Sequence, residues 1–302
     1  MKNNILIALC LFAVFTAHSQ TYTGNITISS QAALDSIALP NGALYHKKIL
    51  DGSLTIIAAD VTNLNALKQL TIIKGDLRIS STLLTSLAGL ENLHTVGELE
   101  LSLNDDLKSL KGLDKLTNAT DVVIRLNNKL QTIASLAKLK KIQYAVTIDD
   151  NATLCKITPL NMTTINALII KNNDKLIDIT GFNKLSHVTN IIISGNDLLK
   201  NLKGLENLKN SNSIFIRNND SLISLEGLQN LAEIKDYLDI WDNKSLKTLE
   251  HLHNLKSIGG EFHLAGNPSL TSMKGLKNLK HIGKRSIENN VNLKDFSEFM
   301  RE

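Results

Sequence analysis

Apolar and polar residues alternate in short bursts along this chain, and the bursts return on a fixed period. Two apolar residues flank one free position at Leu77 and Ile79, Leu99 and Leu101, Val122 and Ile124, and Val146 and Ile148. The series continues at Leu168 and Ile170, Ile191 and Ile193, Ile214 and Ile216, Leu238 and Ile240, and Phe262 and Leu264. Alternation of period two over so short a stretch predicts a β-strand with one buried face. From the second pair on, an asparagine follows three residues later: Asn104, Asn127, Asn151, Asn173, Asn196, Asn219, Asn243 and Asn267, with Asn290 closing the series. The asparagines lie 22 to 24 residues apart. Self-similarity at this period predicts a solenoid of about ten stacked coils whose strands pair in parallel sheets.

The rest of each coil reads Gly-Leu-x-x-Leu, as at Gly89, Gly112, Gly204, Gly227 and Gly275, with Gly181-Phe182 as a variant. Glycine suits a tight bend, and leucines three apart suit a single helical or 3₁₀ turn facing the core. Ser135, Pro159 and His251 take the place of glycine in three coils, so the bend does not strictly require it. The asparagines sit where the chain leaves the strand and its backbone amides would otherwise be buried without partners. An Asn side chain carries both a donor and an acceptor, and the nine are expected to form a structural ladder.

The ends depart from the repeat, as solenoid caps should. Asn25 to Ile28 alternates like a strand, and Ser30 to Ile37 predicts a short capped helix, so residues 21–50 form an N-terminal cap to a solenoid over 51–302. At the far end Arg285 stands where an inward apolar residue belongs, and the run from Asp295 to Met300 is expected to close the last coil.

Four stretches carry a resemblance: Gly75-Asp76-Leu77-Arg78-Ile79, the Leu-Lys-Ser-Leu-Lys-Gly-Leu run at 107–113, Leu222 to Leu228, and Gly24 to Gln31. They resemble the receptor L domain, and most of all its secreted bacterial forms with many coils. The resemblance implies a right-handed, β-helix-like leucine-rich solenoid across nearly the whole chain. It does not carry hormone-receptor function over, because the disulfide caps and cysteine-rich module of those receptors have no counterpart here.

Met1-Lys2-Asn3-Asn4, an apolar run from Ile5 to Phe15 and small residues up to Gln20 predict a secretory signal peptide over residues 1–20. The expected location is outside the cell or on its surface, with the periplasm as the alternative. The apolar run is too short to span a bilayer, and no later segment is long enough. Removing the signal leaves Cys155 as the one thiol, so no internal disulfide is expected. Lysines and carboxylates are interspersed, and aromatics make up only 4% of the chain, which argues against a base-stacking nucleic-acid surface.

The outward strand positions are free of packing duty, so any function is expected there. One outward column reads Thr55, Arg78, Glu100, Val123, Thr147, Ile169, Ile192, Phe215, Asp239, His263; the next includes Arg125, Lys171, Arg217 and Trp241, and the column before it adds Tyr237. Ile169, Ile192, Phe215, Arg217, Tyr237, Asp239 and Trp241 form the candidate binding patch, with the aromatics expected in mutual contact. The plainer alternative is that such residues only favour strand formation.

No metal or cofactor is expected. The acidic residues near the ladder keep no fixed offset, and His251-x-His253 has no third ligand spaced to join it. The expected function is non-enzymatic binding or adhesion toward a protein or glycan, with self-association possible. A polysaccharide-degrading solenoid enzyme would need converging acids and bases, and the middle of the outward column is apolar instead. A purely structural envelope protein is the other alternative.

Overall fold

The computed structural model describes residues 19–296 and 299. Residues 1–18 of the expected signal peptide lie outside them, as do Ser297, Glu298 and Met300 of the closing run. Twelve parallel strands form one sheet in strict sequence order, from Ile26–Ile28 through Leu54–Ile57 to Ser257–Ala265 and His281–Glu288. Every strand pairs with the strands of the coils before and after it, which is the expected solenoid. All nine apolar pairs from Leu77/Ile79 to Phe262/Leu264 are buried and join one continuous core. The cap helix is Gln31–Ser36, and the Ser30 hydroxyl accepts from the Ala33 amide at its start. None of the described helices is long and apolar enough to cross a membrane.

At the corner after each strand one backbone solution repeats. Ser81, Leu103, Leu126, Asp150, Asn172, Asn218, Asp242 and Asn289 have φ of 51–57°, and Gly195 and Gly266 fill the same place. The next residue is the ladder asparagine, or Thr82 after Ser81. Asn196 is fully buried; its Nδ2 donates to the Ile170 carbonyl of the preceding coil at 3.0 Å and to the Ser194 carbonyl of its own coil at 3.1 Å. Its Oδ1 accepts from the Asn173 backbone amide at 3.2 Å, and its own amide donates to Asn219 Oδ1 at 3.1 Å. The same contacts repeat up to Asn290, and the buried Thr82 starts the series with a 2.7 Å bond from its hydroxyl to Asn104 Oδ1.

The glycine bend is more specific than the sequence pattern suggested. Gly89, Gly112, Gly204, Gly227 and Gly275 have φ of 107–119°, a region closed to other residues. A Cβ at Gly112 would also lie 1.9 Å from the Leu87 carbonyl oxygen of the coil before. A 3₁₀ turn forms instead at Asn65–Leu67, Ala134–Leu136, Thr180–Phe182 and Glu250–Leu252, where the residue has a side chain or, at Gly181, no positive φ. Two bends of different geometry therefore serve the same corner.

A second side of the solenoid carries short strands that the sequence pattern did not predict: Thr21–Thr23, Ile49–Asp51 and Ile72–Ile73, then Asn118–Ala119 and Lys141–Ile142. This side ends at Lys141–Ile142. From Thr164 on, each strand runs for eight or nine residues, against five at Ala145–Asp149. At the change the Tyr144 carbonyl accepts from both Asn166 and Ala167 amides, at 2.8 and 3.0 Å. The last coil is half open. Arg285 is exposed, and Phe299 covers the buried Phe262 with ring centres 6.0 Å apart.

Two stability outcomes follow from the corner. Asn196→Ala leaves the Ile170 carbonyl and the Asn173 amide without that partner inside the core. It should lower unfolding free energy by about 1–3 kcal/mol, whereas loss of the exposed Lys203–Glu226 pair through Lys203→Ala should change it by less than about 0.5 kcal/mol; urea melts compare the two. The left-handed conformation disfavours branched side chains but suits Asn, so Leu103→Asn, at a half-exposed site, should raise stability by about 0.5–1 kcal/mol in the same melts.

Candidate binding face

The outward column expected from the sequence is a true lateral row. Thr55, Arg78, Glu100, Val123, Thr147, Ile169, Ile192, Phe215, Asp239 and His263 pair residue by residue, and Ser286 extends the row. Its three sections differ in chemistry. The N-terminal section is a closed charge network: Arg78 contacts Asp76 at 3.0 Å, Glu98 at 2.8 Å and Glu100 at 3.4 Å, and Arg125 takes Glu100 at 2.8 Å. The hydrogen bond to Glu98, reinforced by the surrounding carboxylates, raises the pKa of Arg78. Beside this network burial raises the carboxyl of Asp121, and at Asp149 burial and then Asp150 do the same. In the middle section Val123, Thr147, Ile169 and Ile192 are half-buried by their lateral neighbours.

The C-terminal section holds a hollow of about 490 Å³ walled by Phe215 and Tyr237 and lined by Arg217, Asp239, Glu261, His263, Ser286 and Glu288. Asp239 is its floor and is only 8% exposed. Arg217 Nη2 donates to Asp239 Oδ2 at 2.5 Å, and its guanidinium carbon lies 4.8 Å from the centre of the Phe215 ring. His263 stands between two carboxylates, with Nδ1 3.4 Å from Asp239 Oδ1 and Nε2 3.6 Å from Glu288 Oε1. Neither approach is a hydrogen bond, and Asp239 Oδ1 and Arg217 Nε are buried with no hydrogen-bond partner among the described residues. Lys284 holds Glu261 at 3.2 Å.

Several expectations need correction. Asp239, expected among the exposed residues of the patch, is instead buried beneath Arg217 and His263, because its neighbours in both adjacent coils carry side chains long enough to close over it. Phe215, Tyr237 and Trp241 do not form a ring cluster. Tyr237 and Trp241 lie two residues either side of Asp239 on one strand, each roughly 7 Å along it from Asp239 and so about 13 Å from each other, and the ring contacts of the described residues are Tyr45–His46 and Phe262–Phe299. Trp241, 40% exposed, pairs laterally with Arg217 and Ala265 and stands outside the hollow, as do Ile169 and Ile192. Glu261, His263, Ser286 and Glu288 were missed as site residues. Their signal was present, since they continue the same outward columns by one and two coils.

Elsewhere, His253 Nδ1 lies 2.8 Å from the Glu250 carbonyl, and Cys155 is exposed. Among the described residues no group of three or more His, Cys, Asp or Glu side chains is placed to hold a metal ion.

The receptor L domain family model matches residues 48–166. Among solved structures, an internalin (inlF) from Listeria monocytogenes is similar at 16% identity over 84% of this chain and 81% of that chain, with a TM-score of 0.39. No curated protein matches the sequence. The matched segment and the strand register make the chain a receptor L domain-like, leucine-rich solenoid.

The raised Asp121 carboxyl has a consequence for pH. Its folded pKa lies above the unfolded value, so ionising it opposes folding once pH rises through the carboxylate range, and it has no such effect below that range. Asp121 Oδ1 accepts from the Ala145 amide at 3.1 Å, a bond that an amide oxygen can keep. Asp121→Asn should therefore melt at a higher temperature than the parent at pH 7, with the gap closing toward pH 3; thermal melts across that range measure it.

Proposed function

We propose that the chain is a non-enzymatic protein-binding module, exported from the cell, whose partner docks across the C-terminal section of the outward face. The carrying observation is the hollow itself. On an otherwise regular sheet, the apolar walls Phe215 and Tyr237 stand over a carboxylate-rich floor and rim formed by Asp239, Glu261 and Glu288. Aromatic walls around a desolvated charge are the usual make-up of an interface anchor. The rim carboxylates Glu261 and Glu288, set against Lys284 above the Arg217–Asp239 pair, favour a partner that inserts a Lys or Arg side chain. The receptor L domain match over residues 48–166 is in keeping with binding rather than turnover. A polysaccharide-degrading site would have to use Asp239, His263 and Glu288. Binding is favoured because Asp239 is closed over by Arg217 and is not open to a substrate.

The test is a screen of the mature protein against an array of extracellular protein domains, followed by isotherms for any partner found. Tyr237→Ala combined with Trp241→Ala should weaken that partner by about 2 kcal/mol or more while the melting curve stays in place, since both side chains are exposed. Affinity within about twofold of the parent, with the fold intact, would move the site off this face.

A further inference from the structure

The change in coil cross-section leaves a second concave site on a different side of the solenoid. The short strand Lys141–Ile142 pairs with Asn118–Ala119, and both Lys140 and Lys141 amides donate to the Thr117 carbonyl. Toward the next coil this strand has no strand partner among the described residues, because that coil has moved its backbone into the main sheet from Thr164 on. The space left behind is a groove of about 1140 Å³, more than twice the hollow on the outward face.

The chemistry of its wall is distinctive. Hydroxyls come from Thr95, Thr120, Thr163 and Thr164, amides from Asn118 and Gln143, and ammonium groups from Lys140 and Lys141, while the Asn161 amide also lines the groove but is held by the Ala137 carbonyl and Lys184. Among the described residues neither an aromatic residue nor a carboxylate lines it. Both lysines are exposed, and neither forms an ion pair among the described residues, whereas the corner lysines Lys74, Lys129 and Lys244 each hold an aspartate. Lys184 brings a further ammonium to the rim, bonded to Asn161 Oδ1. Asn118 spends its amide donors on the Thr95 and Thr117 hydroxyls, which leaves its side-chain oxygen free to accept from a ligand.

We propose that this groove binds a carboxylated oligosaccharide segment. Its hydroxyls and amides match the donor and acceptor pattern of sugar hydroxyls, and its unpaired ammonium groups match the acid function. A protein partner is disfavoured, because interface cores are enriched in aromatics and depleted in lysine. Single-stranded nucleic acid is disfavoured because no ring of the described residues lines the groove for bases to stack on.

The mature protein is titrated calorimetrically with a tetragalacturonate, with a neutral tetrasaccharide and with polyglutamate. Tetragalacturonate should bind, more weakly as salt is added, and the neutral sugar and polyglutamate should bind at least about tenfold more weakly. Lys140→Ala combined with Lys141→Ala should lose at least about tenfold in affinity for tetragalacturonate, and so should Thr164→Trp, which plugs the groove without changing charge. Thr164 and both lysines are exposed, so melting temperatures should hold. The Tyr237→Ala/Trp241→Ala variant should bind tetragalacturonate like the parent, which keeps this site separate from the outward face. The proposal is overturned by no binding, by polyglutamate binding equally well, or by a Thr164→Trp variant that binds as the parent does.

Discussion

The stacking of one asparagine amide on the next is the interaction on which the rest of the molecule depends. Each ladder side chain donates to the coil before it and accepts that coil's backbone amide, so no coil can satisfy its own corner alone. A buried amide without a partner is costly, and the ladder turns that cost into a rule of register. The residue before each asparagine must then turn left-handed, which explains why Asn, Asp and Gly recur there and why Leu103 and Leu126 are the strained members of that column.

Strict register has a second effect, on the surface. Because each outward residue lies opposite one fixed residue in the neighbouring coil, charges 20 to 25 positions apart meet as directly as neighbours. Arg78 with Glu98, Arg125 with Glu100 and Arg217 with Asp239 are all contacts between coils. The N-terminal network spends its charges internally. The C-terminal hollow pairs Arg217 with Asp239 and Lys284 with Glu261, but among the described residues buried Asp239 Oδ1 and Arg217 Nε have no hydrogen-bond partner beside its aromatic walls.

The solenoid is not uniform along its length. Its N-terminal coils have a corner that splits off a second side of short strands, and Gly75 and Gly97 stand at that corner, where a Cβ would lie 2.7 and 2.6 Å from backbone atoms of the coil before. After Ile142 the corner is lost and the strands lengthen. The outward hollow lies in the long-strand half and the polar groove at the step, so both concave sites trace to how the coil is cut rather than to any single insertion.

Much of this was legible in the sequence, because a solenoid repeats one physical problem. The inward pairs, the ladder positions, the cap helix at Ser30 and the lateral order of the outward column all follow from period and alternation, which depend only on residues near in sequence. What only the tertiary structure decided depends on side chains from three coils at once. The burial of Asp239 requires the reach of both Arg217 and His263, and the hollow beside it requires Glu261 and Glu288 from the two coils that follow. The second side and its groove left no periodic signal, because two-residue strands such as Lys141–Ile142 are too short to alternate and owe their existence to the neighbouring coil's backbone.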